Sequence, residues 1–449
     1  MPMPTSLSFS HPPRTRRGLL PVAVAAAFAL GGLGTSAPAL AKGPKDPYLP
    51  GEVLVRLHST GALDGVLARH GLTLVSQSGA RPLYRLHVAD GASVPDKVAE
   101  LVADTDVIAA EANVNSQAPE ARRNVIWAIG TEVDYREQWA PAAMHLAEAQ
   151  ALSRGAGVRV AVLDTGVDAS HPALVGHLLP GYDFVDNDAN PNEEGTTDNA
   201  GYGHGTHVAG LVALAAPDAK IVPYRVLDPD GRGDIWMLQR ALAYALDPDG
   251  NPATNDGAQV VNLSLGTLDR TRIMRALLTL ATCSIPKPGA NPDTDYTDPG
   301  YDADKARCAA SGGAVVVAAA GNEGNSRVKE YPAAEGVYGL MPAGASAENH
   351  RFADFSNTGS WVDLAAPGDH ITSSVPGGQY GTWSGTSMAS PLMAGVAALL
   401  RAKAPAMKPV DVAKRLEKTG ARLCGGTNTV QVDALATLRN KVSPPLTCP

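Results

Sequence analysis

Two kinds of hydrophobic pattern follow one another along the chain. From Leu49 to Ala118, GEVLVRL, LTLVSQ, PLYRLHV and DVIAAEANV read as strands, while LDGVLARHG and VPDKVAELVAD space their apolar residues as helices do. The order βαββαβ predicts a small ferredoxin-like α+β sandwich. The polar stretch QAPEARRN after it reads as a turn-like linker exposed to cleavage. Beyond the linker, VRVAVLD, KIVPYRVL, QVVNLSL and GAVVVAAAG are apolar on both faces, which predicts a parallel sheet covered on each side. HVAGLVALA, IWMLQRALAYAL, RIMRALLTLA, SPLMAGVAALLRAKA and PVDVAKRLEKTG supply helices between or after these strands. The main unit is therefore expected to be a doubly wound α/β domain with a mainly parallel sheet, its site at the carboxyl ends of the strands.

The N-terminus adds a leader to this plan. Arg14, Arg16 and Arg17 precede an apolar run from Leu19 to Leu33, and Ala39-Leu40-Ala41 offers a cleavage site, the layout of a secretory signal. The Arg16-Arg17 pair also fits twin-arginine export. The expected divisions are a signal over residues 1–41, a propeptide with its linker over 42–119, the main domain over 120–442 and a C-terminal tail over 443–449. No later apolar stretch approaches membrane length, so the product is expected outside the cytoplasm, in the periplasm or the medium, without a membrane anchor. The formal net charge is -8 and no basic tract follows the leader, which gives nucleic acid no surface to bind.

Export also bears on the four cysteines, because oxidising compartments favour their pairing. Three connectivities are open to them. Sequential pairing, Cys283 with Cys308 and Cys424 with Cys448, would staple a Pro/Asp/Gly-rich segment and the C-terminal tail respectively.

Candidate chemistry lies at the strand ends. Asp164 follows VRVAVL, His204 opens a helix in GHGTHVAG, Asn322 follows GAVVVAAA between two glycines, and Ser387 precedes a small, apolar helical run. Each has an ordinary reading: a strand-end turn for Asp164, a turn asparagine for Asn322, a helix cap for Ser387. His204 and His207, three apart on one helix, have a metal pair as a rival reading, though the HExxH spacing is absent. Together they contain a nucleophile, a base, an orienting acid and an oxyanion donor. Their order discriminates between scaffolds. An α/β-hydrolase needs its histidine after the serine, yet the last histidine is His370, and a chymotrypsin-like His, Asp, Ser order belongs to β-barrels. The order Asp164, His204, Ser387 is the subtilisin order.

With DTGVD, GHGTHVAG, VNLSLG, AAAGNEG and SGTSMASP in sequence, the chain resembles the subtilisin-like serine proteases, the subtilase or S8 family, in its thermitase-like and fervidolysin-like members. The resemblance covers nearly everything after the leader. It implies a secreted endopeptidase that cleaves polypeptides through an acyl-enzyme, with Ser387 as nucleophile, His204 as general base then acid, and Asp164 orienting it. It also implies Asn322 and the Ser387 N–H as oxyanion donors, Ser264, Leu265 and Gly266 as the strand that pairs with substrate, and no cofactor for catalysis. The first domain would be an intramolecular inhibitor that makes the enzyme a self-processing zymogen, its C-terminal segment around Asn113 to Ala118 lying in the cleft.

Several positions depart from the family pattern. Ala173 replaces a calcium-ligating Asp, and little loop separates the His204 helix from the next strand, so the family's strong calcium site is expected to be absent. Asp183, Asp186, Asp188, Asn190 and Asn192 in YDFVDNDANPN offer oxygens for a different calcium site resembling a thermitase loop, with a solvated acidic turn as the alternative. The segment between Gly266 and Gly313 is longer than usual and is expected to be a surface excursion. Glu330, before the YPA string, would lie at the base of the S1 pocket and favour Lys or Arg at P1, making Arg122 and Arg123 a self-cleavage site. Two other classes remain open: a catalytically dead binding protein on this scaffold, and a serine hydrolase of other specificity, such as an esterase.

Overall fold

The alternation of Val53, Val55 and Leu57 with Leu54 sets the architecture of the first unit, because successive strand residues face opposite sides of a sheet. The three odd-numbered residues enter a core with Leu86 and with Val66 and Leu101 of the covering helices, whereas Leu54 joins the core of the following domain. The computed structural model describes residues 46–123, 127–284 and 301–449, apart from the side chains of 301–303. The leader expected over 1–41 lies outside these residues. Strands Tyr48–Leu57, Leu72–Gln77, Leu83–Val88 and Val107–Gln117, with helices Leu63–His70 and Val94–Val102, form the predicted βαββαβ unit. The strands are antiparallel, with Tyr48–Leu57 and Leu83–Val88 inside the sheet.

The second sheet places Leu364–Pro367, Leu340–Ser346, Val315–Ala319, Val260–Leu263, Arg159–Asp164 and Lys220–Arg225 side by side, all parallel. Both of its faces are covered, as the unbroken apolar runs require. Val160, Val162, Val315 and Val317 pack with helices His204–Ala215 and Thr386–Lys403, while Ala161, Leu163, Val316 and Ala318 pack with Ile235–Leu246 and Arg272–Ala281. From Arg159–Asp164 the chain passes to Lys220–Arg225 on one side and then to Val260–Leu263 on the other. That reversal opens a crevice at the carboxyl ends of the strands.

The long segment between Gly266 and Gly313 is more than a surface excursion. Its helix Arg272–Ala281 buries Ile273, Met274, Leu277 and Leu278, and Arg307 of helix Tyr301–Ser311 is buried with its guanidinium on the Leu280 carbonyl. Arg81 of the first unit makes two bonds to Asp304 at 3.0 and 2.5 Å. Glu111 accepts from the backbone N–H groups of Arg272 and Ile273, so a carboxylate of the first unit caps a helix of the second. The segment is therefore a docking platform, built because its apolar helix faces need burial. The pairings Cys283–Cys308 and Cys424–Cys448 are both formed, the first closing this platform.

Candidate active site

Asp164 ends its strand and is 1 % exposed. Its Oδ1 accepts from His204 Nδ1 at 2.7 Å and from the Thr165 N–H at 2.8 Å. His204 is the first residue of its helix, entered through Gly203 at a φ of 87°, a left-handed conformation that glycine adopts without strain. Its ring meets Trp383 edge-on at 5.5 Å. His207 faces away, with Nε2 against the Ile371 and Gly381 carbonyls at 3.1 Å, and burial pushes its pKa down to about 3. A neutral imidazole turned to two main-chain oxygens is not poised to share a metal with His204.

Ser387 is fully buried and lies in the first turn of Thr386–Lys403, where backbone N–H groups have no partner within the helix. It is not the helix cap; that position is Gly385. Asn322 projects from the turn after Val315–Ala319, and its Oδ1 accepts from both the N–H and the hydroxyl of Thr386 at 2.9 Å. This brace leaves Nδ2 aimed into the crevice. Ser264 supports the serine from behind, its Oγ donating to the Ser387 carbonyl at 2.9 Å.

A single carboxylate, that of Glu120, connects these groups. Its Oε2 accepts from Ser387 Oγ at 2.6 Å and lies 3.1 Å from His204 Nε2, while Oε1 accepts from Asn322 Nδ2 at 2.8 Å. Glu120 is 1 % exposed. Burial opposes its charge, but the bonds from His204, Ser387 and Asn322 outweigh that and hold its pKa below the usual value. Burial likewise opposes the imidazolium of His204, yet the Asp164 and Glu120 carboxylates push its pKa up to about 10. With a carboxylate on each nitrogen, both ring nitrogens donate.

The stretch expected to be an exposed linker is thus seated in the cleft. Asn115–Gln117 pairs antiparallel with Arg232–Asp234, Gln117 exchanges two backbone bonds with Gly266, and the Ala118 N–H donates to the Gly231 carbonyl. Ala118, Glu120 and Ala121 are buried, because two exposed strand edges take up the backbone groups that a free linker would give to water. The cleft segment expected to end at Ala118 continues through a 3-10 turn, Ala121–Arg123.

That turn carries Arg122 to Glu330, its guanidinium bonded to Glu330 Oε1 and, at 3.1 Å, to Glu323 Oε1. Glu330 is fully buried; burial pushes its pKa up to about 7, against the pull of Arg122. Gly266 and Gly321 leave space for the two carboxylates, since a Cβ would stand 2.3 Å from Glu330 Oε1 at the first and 2.7 Å from Glu323 Oε2 at the second. Asn357 Nδ2 donates to Glu323 Oε2 at 2.7 Å and steadies it. Sequence reasoning missed Glu323, although it adjoins Asn322 in AAAGNEG, and missed Glu120, which no local pattern marks.

Of the five residues expected to offer calcium oxygens, Asp183 and Asp186 converge with Glu194, their ligand atoms within 4.8 Å of one another, while Asp188 Oδ1 accepts from the Asn190 N–H and Asn190 Oδ1 from Asn192 Nδ2. Arg225 places its guanidinium among the three, 2.6 Å from Asp183 and 3.0 Å from Glu194. The opposite charge on these carboxylates is therefore already partly matched. A second acidic group, Asp247, Asp249 and Asp256, lies elsewhere.

Known protein families match most of the chain. Residues 155–436 match the Subtilase family, and residues 34–113 match the Fervidolysin N-terminal prodomain. The chain is 32 % identical over 397 residues to the thermophilic serine proteinase of Bacillus sp. (strain AK1), covering 85 % of this chain and 84 % of that protein. It is 35 % identical over 300 residues to thermitase of Thermoactinomyces vulgaris, covering 64 % of this chain and 90 % of the relative. Among solved structures, fervidolysin from Fervidobacterium pennivorans, described as a keratinolytic enzyme related to subtilisin, shares the fold. The TM-score is 0.66 at 24 % identity, over 90 % of this chain and 62 % of that one.

Proposed function

The chain belongs to the subtilase family and is a serine endopeptidase with an N-terminal prodomain; from that premise we propose an exported, self-processing zymogen with Asp164, His204 and Ser387 as its triad. In the processed enzyme Ser387 Oγ attacks the scissile carbonyl while His204 Nε2 takes its proton, and Asp164 holds the imidazole by Nδ1. Asn322 Nδ2 and the Ser387 N–H receive the charge that develops on the carbonyl oxygen. His204 returns the proton to the leaving amine, and water then releases the acyl group by the same steps in reverse. The observation that carries this reading is the seat of Glu120: one carboxylate, about the size of a reacting carbonyl centre, is bonded to Ser387, His204 and Asn322 at once. A peptide library tests it. Cleavage of peptide bonds that stops after fluorophosphonate labelling of Ser387 supports the proposal; ester hydrolysis without peptide cleavage would refute it.

Substrate would lie between Gly231–Asp234 and Ser264–Gly266, adding a strand to both edges as residues 115–118 do in the precursor. In this reading Ser264, Leu265 and Gly266 would form one wall of the pocket, with Gly266 leaving space beside Glu330. The seat of Arg122 supports an acidic P1 site, since Glu330 and Glu323 receive one guanidinium. A Glu330→Gln enzyme is expected to lose about tenfold to a hundredfold in kcat/KM for Arg and Lys at P1, the range for a bond between charged groups. Glu323→Gln, at a carboxylate 26 % exposed, should lose less. Because burial raises Glu330 to about 7, its negative charge is lost as the pH falls below that value. The preference for a basic P1 over leucine should weaken in step. Unchanged P1 ratios, in the variant or at low pH, contradict the assignment. Processing is then placed after Arg122 or Arg123, dividing the prodomain from the enzyme.

A structural calcium ion, if bound near Tyr182–Asn192, would be held by Asp183, Asp186 and Glu194 beside Arg225 rather than by the whole loop. Calcium at a hundred times its Kd adds about 2.7 kcal/mol. In a domain of this size each kcal/mol raises Tm by roughly 2–4 °C. A melting curve that is the same in millimolar calcium and in EDTA removes calcium from the account.

A further inference from the structure

The group that fills the catalytic centre of the uncleaved chain is a side-chain carboxylate, planar like the acid product of hydrolysis and carrying one negative charge among the groups that would meet a developing oxyanion. One oxygen of Glu120 takes the bond from Asn322 that would stabilise an oxyanion, and the other lies between Ser387 and His204. We propose that Glu120 is a built-in inhibitor of the zymogen: its carboxylate holds the catalytic centre before any peptide bond is cut, and self-cleavage begins only when the segment Ala118–Arg123 shifts its register. The proposal rests on the triad reading above and assigns the regulation of that site.

Three observations carry it. Ser387 Oγ donates its proton to a carboxylate, and His204, ion-paired on both nitrogens, has no free lone pair with which to take that proton. Gly385 makes the fit, since any Cβ there would stand 1.6 Å from Glu120 Oε1. Arg122, two residues on and within the same turn, is anchored on Glu323 and Glu330, so the pocket holds its basic side chain while the acid occupies the centre. Each anchor supports the other, because withdrawing Glu120 requires this short turn to rearrange. Bonds between ionised partners in a buried site are the strong ones.

Fluorophosphonate labelling of the full-length chain tests this directly. Wild-type, Glu120→Gln and Glu120→Ala precursors are pulsed in the cold, and label is read on the uncut band beside processed wild-type enzyme. The wild-type precursor should label at least about tenfold more slowly than processed enzyme, and both variants should label and self-process about tenfold to a hundredfold faster than the wild-type precursor. A wild-type precursor that labels as fast as processed enzyme overturns the proposal without recourse to any variant. So does a Glu120→Ala precursor that labels as slowly as the wild type, because the prodomain would then be blocking the site by other contacts. A processed enzyme that does not label at all would instead refute Ser387 as the nucleophile, and this proposal with it. Processed enzymes cut after Arg122 or Arg123 no longer contain residue 120. Equal peptidase activity among them therefore shows that Glu120 acts on the zymogen alone.

Discussion

Ser387→Ala is expected to leave the full-length chain uncut and to lower peptide hydrolysis by about a millionfold, the loss that the corresponding change causes in a subtilisin. The expectation follows from the geometry: His204, held by Asp164, and Asn322 both meet the carboxylate that accepts from Ser387 Oγ. Alanine is well tolerated in the first turn of a helix, and Ser387 is not the cap, so the variant should fold. Glu120 keeps its bonds to His204 and Asn322 in this variant, and the prodomain should stay in place. Purified full-length Ser387→Ala followed on a gel provides the check. Slow appearance of mature enzyme in the absence of any other protease would show that the processing nucleophile is another residue.

Asn322→Ala is expected to lower kcat by about a hundredfold to a thousandfold while KM changes little, again a magnitude measured on a subtilisin. The split follows because the amide donates most strongly to charge that exists only on the way to the tetrahedral intermediate. Asn322 also accepts two bonds from Thr386, so the substitution should reduce stability too, by about 1–3 kcal/mol for the buried N–H left without a partner. Steady-state kinetics and a melting curve on one preparation separate the effects. A loss confined to KM would mean that Asn322 binds substrate and does not stabilise the intermediate. A loss seen only near the melting temperature would reduce it to a brace.

Much of the fold was legible because its periods are local. Val53, Val55 and Leu57 alternate with Leu54, and runs such as VRVAVLD are apolar on both faces, so the two sheets could be told apart before any contact was known. The strand ends carried Asp164 and Asn322, and the helix starts carried His204 and Ser387, because this chemistry needs backbone turns and free N–H groups that short motifs encode. The insert was harder. Its helix Arg272–Ala281 was visible, but its role as a platform depends on Arg81 and Glu111, more than 150 residues earlier in the chain. The acidic loop was legible only in part: its closely spaced oxygens are written locally, while Arg225 and Glu194, which join Asp183 and Asp186, come from outside it.

Glu120 marks the limit most clearly. In QAPEARRN it is one acid among polar residues, with nothing nearby to separate it from solvent. Only the pairing of Gln117 with Gly266, and the absence of a side chain at Gly385, carry its carboxylate to Ser387 and Asn322. Its partners Asn322 and Ser387 lie 202 and 267 residues away in sequence. Periodicity and motif order were enough to indicate the scaffold, the family likeness and the four residues proposed for catalysis, since each is written within a few consecutive residues. Which acid fills the catalytic centre, which two carboxylates receive Arg122 and which cation meets Asp183 were decided by folding. Burial is what gives those charges their partners, and burial is a property of the assembled chain.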